Sequence, residues 1–224
     1  LESVATGVIK ANGGEVVGGV RAPLGTTDFS SYILQAQASG ADVIALANAG
    51  SDMVNSLKTA AEFGVTETTS VAGLLVFTPN AQALDPAIAG GMKLTTGFYW
   101  DMDDQTRAWS KRYMARMGDK IPAMPHAGAY SSTMHYLKAV EAAGTDESKA
   151  VMAKMKEMPV EDFFSRNGYL RKDGRMVHDM LQVRIKTAKE RANDNDIFVI
   201  EKVIKGDDAF MKMEDGGCEF ALAK

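Results

Sequence analysis

Gly40-Ala41-Asp42-Val43-Ile44-Ala45-Leu46-Ala47-Asn48-Ala49-Gly50-Ser51-Asp52-Met53 is the stretch that decides the fold class. Gly40 stops one helix, Val43–Ala47 is an unbroken apolar run, and Ser51 and Asp52 open the next helix. An apolar run without polar alternation predicts a strand covered on both sides, as in parallel sheets. The same grammar extends in both directions. Upstream, a helix over about 1–12 ends at Asn12-Gly13-Gly14, and β-branched Glu15–Val20 predicts a strand. Asp28 is placed to cap a helix over Phe29–Ser39, with Phe29, Ile33 and Ala36 on one face. Downstream come a helix over Asp52–Glu62 with Met53, Leu57 and Ala60 on one face, a buried strand Val71–Phe77, a helical stretch Asn80–Ile88, and a strand Met92–Trp100. Strands alternating with helices predict an α/β fold with a doubly wound parallel sheet.

Beyond Trp100 the alternation stops. Helices are expected over Gln105–Met117, over His126–Ala143 ending at Gly144, and from a cap at Asp146 to about Met158, before Pro159. Asp104 reads as the N-cap of the first of these. Three helices without intervening strands do not continue the same sheet. Tyr169–Ile185 predicts a hairpin turned by Lys172-Asp173-Gly174, Ile197–Ile204 a last strand, and the residues after Gly206 an irregular cap.

Composition narrows the function classes. The chain has 224 residues, 46% hydrophobic and 24% charged, which is enough to bury a core and is unlike a disordered chain. A formal charge of -4 and dispersed Lys and Arg argue against a nucleic-acid partner. No apolar run approaches the roughly 20 residues of a membrane helix, so no direct membrane insertion is expected. A single cysteine, Cys218, excludes an internal disulfide framework and a Cys-rich zinc site. The sequence has no G-x-S-x-G elbow, P-loop, H-E-x-x-H or C-x-x-C, so neither a catalytic residue nor a cofactor is assigned. Leu1–Lys10 reads as the middle of an amphipathic helix. The expectation is that the chain is the C-terminal part of a longer protein.

Candidate binding residues gather where strands end. Asn48, Ala49, Gly50 and Ser51 follow a strand and open a helix, at the edge where open α/β sheets take ligands. Free N–H groups there favour an anion or a polar ligand group, although an ordinary N-cap at Ser51 and Asp52 stands beside that reading. Tyr99 and Trp100 end a strand, and alternation lets only one of the two face a ligand. Asp101 follows them. His126 stands at a helix N-terminus after Pro125, whereas His135 and His178 read as packing or surface residues and Asp173 as a turn residue.

The order of segments resembles the type I periplasmic substrate-binding proteins of the leucine/isoleucine/valine-binding kind, which feed ABC importers. The resemblance is carried by Asn12-Gly13-Gly14-Glu15-Val16-Val17, Pro23-Leu24-Gly25-Thr26-Thr27-Asp28-Phe29-Ser30, Gly40-Ala41-Asp42-Val43-Ile44 and Ala60-Ala61-Glu62-Phe63-Gly64. It continues through Ala89-Gly90-Gly91-Met92, the helix from Ala129-Tyr130-Ser131 to Ala142-Ala143-Gly144, and Asn167-Gly168-Tyr169 with Asp173-Gly174-Arg175. It spans about residues 1–187.

The resemblance implies two α/β lobes joined by crossovers, with a small-molecule solute closed between them and an ABC permease in the inner membrane as partner. It also implies a periplasmic location, served by a signal peptide that would lie outside these residues. Mapped onto this chain, 1–98 is the second-lobe core, 99–102 a crossover, and 103–177 the part returning to the first lobe. Residues 178–182 form another crossover, and 183–224 second-lobe strands and tail. The first lobe's own sheet would precede Leu1. Tyr99–Met102 and His178–Gln182 are then the expected hinges, and in an oxidising compartment Cys218 has either an outside partner or a free thiol.

Amino-acid binders of this family place a glutamate after the strand that here is Val71–Phe77, to receive the ligand ammonium. No acid stands in Asn48–Gly50 or Leu74–Phe77. The departure favours an aromatic or aliphatic carboxylate or a neutral small solute over an α-amino acid, and an aromatic carboxylate first among these, with Ala49, Gly50, Leu75 and Phe77 as an apolar wall and Tyr99 and Tyr130 flanking a ring. Asp101, in the crossover, is the alternative acceptor for a ligand ammonium. A ligand-sensing domain of a regulator or receptor with the same fold, or a Rossmann-like enzyme, stays open at this point.

Overall fold

A computed structural model describes residues 1–217; Cys218 lies outside the described residues. The chain forms two compact units, residues 1–95 with 183–199, and residues 96–182 with the segment from Ile200 onward. It therefore passes from unit to unit three times, after Thr95, Gln182 and Val199.

Unit 1 begins with α1 (Glu2–Ala11), which buries none of its residues, and α2 (Ser30–Ala38). Asp28 accepts a hydrogen bond from the Ser30 N–H, which fixes the entry to α2. Then come β1 (Val43–Leu46), α3 (Gly50–Glu62), α4 (Val65–Thr68), β2 (Ser70–Gly73), α5 (Thr78–Ala83), α6 (Pro86–Ala89) and β3 (Lys93–Thr96). β1, β2 and β3 are parallel neighbours, with Leu46 opposite Gly73 and Gly73 opposite Leu94. α3 buries Met53, Ser56, Leu57 and Ala60, one helical face at spacings of three and four. Phe29, Ile33, Ala60 and Val65 form one core cluster of this unit.

Unit 2 contains α7 (Asp104–Met114), α8 (Met124–Ala143), α9 (Ser148–Glu157), and the antiparallel pair β4 (Tyr169–Leu170) and β5 (Met176–Val177). β6 (Met180–Ile185) and β7 (Phe198–Ile204) each contain one of the passages and complete a five-stranded sheet in the order β1-β2-β3-β6-β7. α10 (Gly206–Ala209) and a short 3-10 turn (Glu214–Gly216) follow. The core of unit 2 is aromatic, with Phe98, Trp109 and Ala127 buried and Trp100, Tyr113, Phe163 and Phe164 packed around them.

The α/β class and the parallel sheet stand as the sequence predicts, but several local expectations do not. Glu15–Val20 is irregular and exposed; Gly18-Gly19 weakens any strand there, and no described strand pairs with it. β1 is an edge strand and Val43 is 52% exposed, so this run is covered on fewer sides than its composition suggests. β2 stops at Gly73 because the chain folds back, bringing the Val76 side chain onto the space a Cβ at Gly73 would need. β3 stops at Thr96, so Tyr99 and Trp100 belong to a turn and alternation does not govern them. Asp103, not Asp104, caps α7, exchanging hydrogen bonds with Thr106. Glu147, not Asp146, caps α9, accepting from the Lys149 and Ala150 N–H groups. The Tyr169–Ile185 hairpin is only β4–β5; β6 joins the large sheet.

Candidate functional site

In unit 1, the register of β1 and β2 brings Asn48–Ser51 and Leu74–Phe77 off the same carboxyl edge of the parallel sheet. The Leu74 N–H still donates to the Leu46 carbonyl, 2.9 Å, which holds the two exits side by side. Gly50 adopts φ +61°, a left-handed conformation that lets the chain turn sharply into α3. The N-cap of α3 is Ala49, which offers no side-chain cap; Ser51 and Asp52 stand inside the first turn, which displaces the expected N-cap role.

A polar relay lies behind this edge. Asn48 Nδ2 donates to Ser56 Oγ, 2.7 Å, and Ser56 Oγ donates to the Asp52 carbonyl, 2.7 Å. Because the serine proton is spent on that carbonyl, the asparagine must present its amide nitrogen to Ser56, which turns Oδ1 the other way. Asn48 Oδ1 is buried and accepts no hydrogen bond from the protein. Asp52, 6% exposed, accepts from the Gly25 N–H at 3.0 Å and so anchors the Pro23–Thr27 turn. Leu75 and Phe77 are half-buried, and Phe77 serves as N-cap of α5 with its N–H donated to Asn80 Oδ1, 3.3 Å.

In unit 2, Tyr99 is 4% exposed and lies edge-on to Trp100 at 6.2 Å. Asp101 is ion-paired with Arg107, 2.9 Å, which also holds Asp104 at 2.7 Å. His126 Nδ1 accepts from the Ala123 N–H, 3.0 Å, so its ring caps α8, and it lies 5.2 Å from the Tyr113 ring. Tyr130, one turn on and 37% exposed, accepts from Arg112 Nη2 at 3.2 Å. Its ring lies 5.6 Å from Trp109 and 5.7 Å from Phe163. Trp109 and Phe163 stack at 4.3 Å with 12° between their planes. Sequence reading missed this stack and the Asn48–Ser56–Asp52–Gly25 relay. Trp109 lies in the helix expected over Gln105–Met117, but its stacking partner Phe163 is distant in sequence, as Gly25 is from Asp52.

The family model for periplasmic binding proteins matches residues 1–191. The chain belongs to the periplasmic binding protein family. Among curated proteins none matches it. Among solved structures, it is similar to a periplasmic binding protein from Burkholderia mallei, at 44% identity and a TM-score of 0.90, covering 96% of this chain and 56% of that one. It is also similar to a branched chain amino acid ABC transporter periplasmic ligand-binding protein from Burkholderia xenovorans LB400, at 39% identity and a TM-score of 0.86, covering 95% and 57%. At the level of fold it resembles an R. palustris ABC transporter solute-binding protein solved with 4-hydroxybenzoate, at 21% identity and a TM-score of 0.74, covering 92% and 56%. The chain thus spans little more than half the length of these periplasmic binding proteins. Among the described residues no helix is long and apolar enough to cross a membrane, and no group of three or more His, Cys, Asp or Glu could hold a metal ion.

Proposed function

We propose that the chain is part of an extracytoplasmic, periplasmic solute receptor that delivers a small organic solute to an ABC permease in the inner membrane. The solute is an aromatic carboxylate in preference to an α-amino acid. Asn48, Ala49, Gly50, Ser51, Leu75 and Phe77 are the ligand-binding residues assigned to unit 1, and Tyr99, His126 and Tyr130 those assigned to unit 2, where Asp101 is the acceptor only in the alternative case of an amino-acid ligand. Lobe closure turns on the segments around the three passages, with Tyr99–Met102 and His178–Gln182 absorbing backbone rotation.

The observation that carries the ligand class is the state of the acids. Asp52 is spent on the Gly25 N–H and Asp101 on Arg107, while Asn48–Ser51 and Leu74–Phe77 contain no carboxylate. A buried ammonium without a carboxylate partner is costly, whereas an aromatic ring needs only apolar area and ring neighbours. The 4-hydroxybenzoate complex of the R. palustris protein supports the reading to the extent that this fold accommodates an aromatic acid. Calorimetry on the full-length protein tests it. Binding of benzoate-type acids without response to leucine or valine is the expected result; the reverse pattern overturns the ligand class.

A further inference from the structure

Residues 178 and 179 stand where three distant segments of unit 2 converge. The His178 ring lies between Phe164, 4.9 Å away, and Phe210, 5.1 Å away. A Cβ added at Gly97, just after β3, would come within 3.0 Å of His178 Cε1. A Cβ at Gly206, just after β7, would come within 3.0 Å of the His178 carbonyl oxygen. Asp179 completes the junction, accepting from the Gly206 N–H at 3.1 Å and pairing with Lys205 at 2.8 Å. His178 itself shortly precedes β6. The unit-2 ends of all three passages are therefore packed on one histidine and its neighbour.

The ring's protonation is fixed by its partner. His178 Nδ1 lies 2.8 Å from the Asp179 carbonyl, which can only accept, so Nδ1 carries the proton of the neutral ring. Burial pushes its pKa below the ordinary value, the Asp179 carbonyl and carboxylate oppose this, and Arg175 reinforces it. Arg175 also lies over the Phe210 ring, 5.5 Å from its centroid, so that ring already serves one cation. Several other charged or titratable groups on the surrounding elements have partners of their own. Asp179 is tied to Lys205, Asp207 accepts from Tyr169 Oη, Asp162 from the Phe164 and Ser165 N–H groups, and His126 from Ala123.

We propose that His178 is an acid-sensitive clasp: neutral, it locks the unit-2 ends of the three passages together, and a second proton drives it out of the Phe164–Phe210 slot and frees them. Its consequence for lobe closure rests on the receptor reading above. The sign follows from linkage. The unfolded chain takes up the proton near an ordinary histidine pKa of about 6.5 and the folded chain only at lower pH, so the clasp is fully effective above that value and weakens as pH falls beneath it.

The test uses isotopically labelled full-length protein. The expected result is a His178 ring that titrates below the free-histidine value, with Gly97 and Gly206 amide exchange, corrected for its intrinsic rate, rising several-fold between about pH 7.5 and about pH 5. His178→Phe should abolish the rise; His178→Gln serves if the phenylalanine variant does not fold. A ring that titrates at or above the free value, or an undiminished rise in the variant, overturns the proposal. X-ray scattering with and without 4-hydroxybenzoate at neutral pH probes lobe closure by itself, so a failure of the receptor reading would show there and leave the His178 titration as a separate result.

Discussion

The carboxyl edge of the unit-1 sheet and the aromatic core of unit 2 solve different problems with different chemistry. The first is a hydrogen-bonded relay, Asn48–Ser56–Asp52–Gly25, in which each member positions the next and one acceptor, Asn48 Oδ1, is left over. The second is a set of rings, Phe98, Trp109, Phe163, Phe164 and Tyr130, whose packing depends on shape rather than on donors and acceptors. A relay fails when a single member is removed, because a buried polar partner is left unpaired. An aromatic stack weakens in proportion to the ring surface that is removed and the cavity that remains. The two regions should therefore respond differently to single substitutions.

Phe98→Ala should have the largest effect. Phe98 is fully buried and meets Trp109 edge-on at 5.6 Å and Phe163 at 6.0 Å. Truncation should cost about 3–5 kcal/mol, read by denaturant unfolding. Hydrogen exchange should show the loss in unit 2. Equal loss of protection in β1 and β2 would remove the distinction between the regions.

Asp52→Ala comes next. It removes a charged acceptor from the Gly25 N–H and should cost about 1.5–3 kcal/mol, with faster exchange at Gly25. Asp52→Asn keeps an acceptor and should recover part of that. If Asp52→Asn recovers nothing relative to Asp52→Ala, an acceptor at this position contributes no stability and the relay description is wrong.

The two regions also differ in how far the sequence reveals them. The strand-to-helix grammar of Val43–Asp52 and the face Met53, Leu57, Ala60 are local patterns, so the α/β class was legible. The helix starts were legible only to within one or two residues. Asp103 and Asp104 are both good caps, as are Asp146 and Glu147, and the choice depends on which carboxylate reaches the free N–H groups. Strand ends were overestimated because an apolar run continues through Leu74–Phe77 after the backbone has turned. Among candidate site residues, Asn48 and Tyr130 were named from residue type and position alone, and their role in binding is a proposal. That Asp52 is tied to Gly25, that Asp101 is paired with Arg107, and that His126 caps its own helix were not legible, because each depends on side-chain geometry.

Asp101→Asn should have the smallest effect, and it bears most directly on the ligand. Asp101 and Arg107 are both substantially exposed, and Arg107 retains Asp104 when Asp101 is neutralised. An exposed pair of this kind contributes about 0–1 kcal/mol, so the unfolding midpoint should barely move. If the solute is an aromatic carboxylate, removing a negative charge near Tyr99 leaves its affinity unchanged or slightly improved, because no ligand cation depended on it. If the solute is an α-amino acid held through its ammonium by Asp101, the same substitution should weaken binding by a factor of ten or more, about 1.4 kcal/mol or above. Calorimetry with 4-hydroxybenzoate and with leucine, on the wild type and on Asp101→Asn, separates the two cases: a selective loss of leucine binding would assign the acceptor role to unit 2 and overturn the aromatic reading.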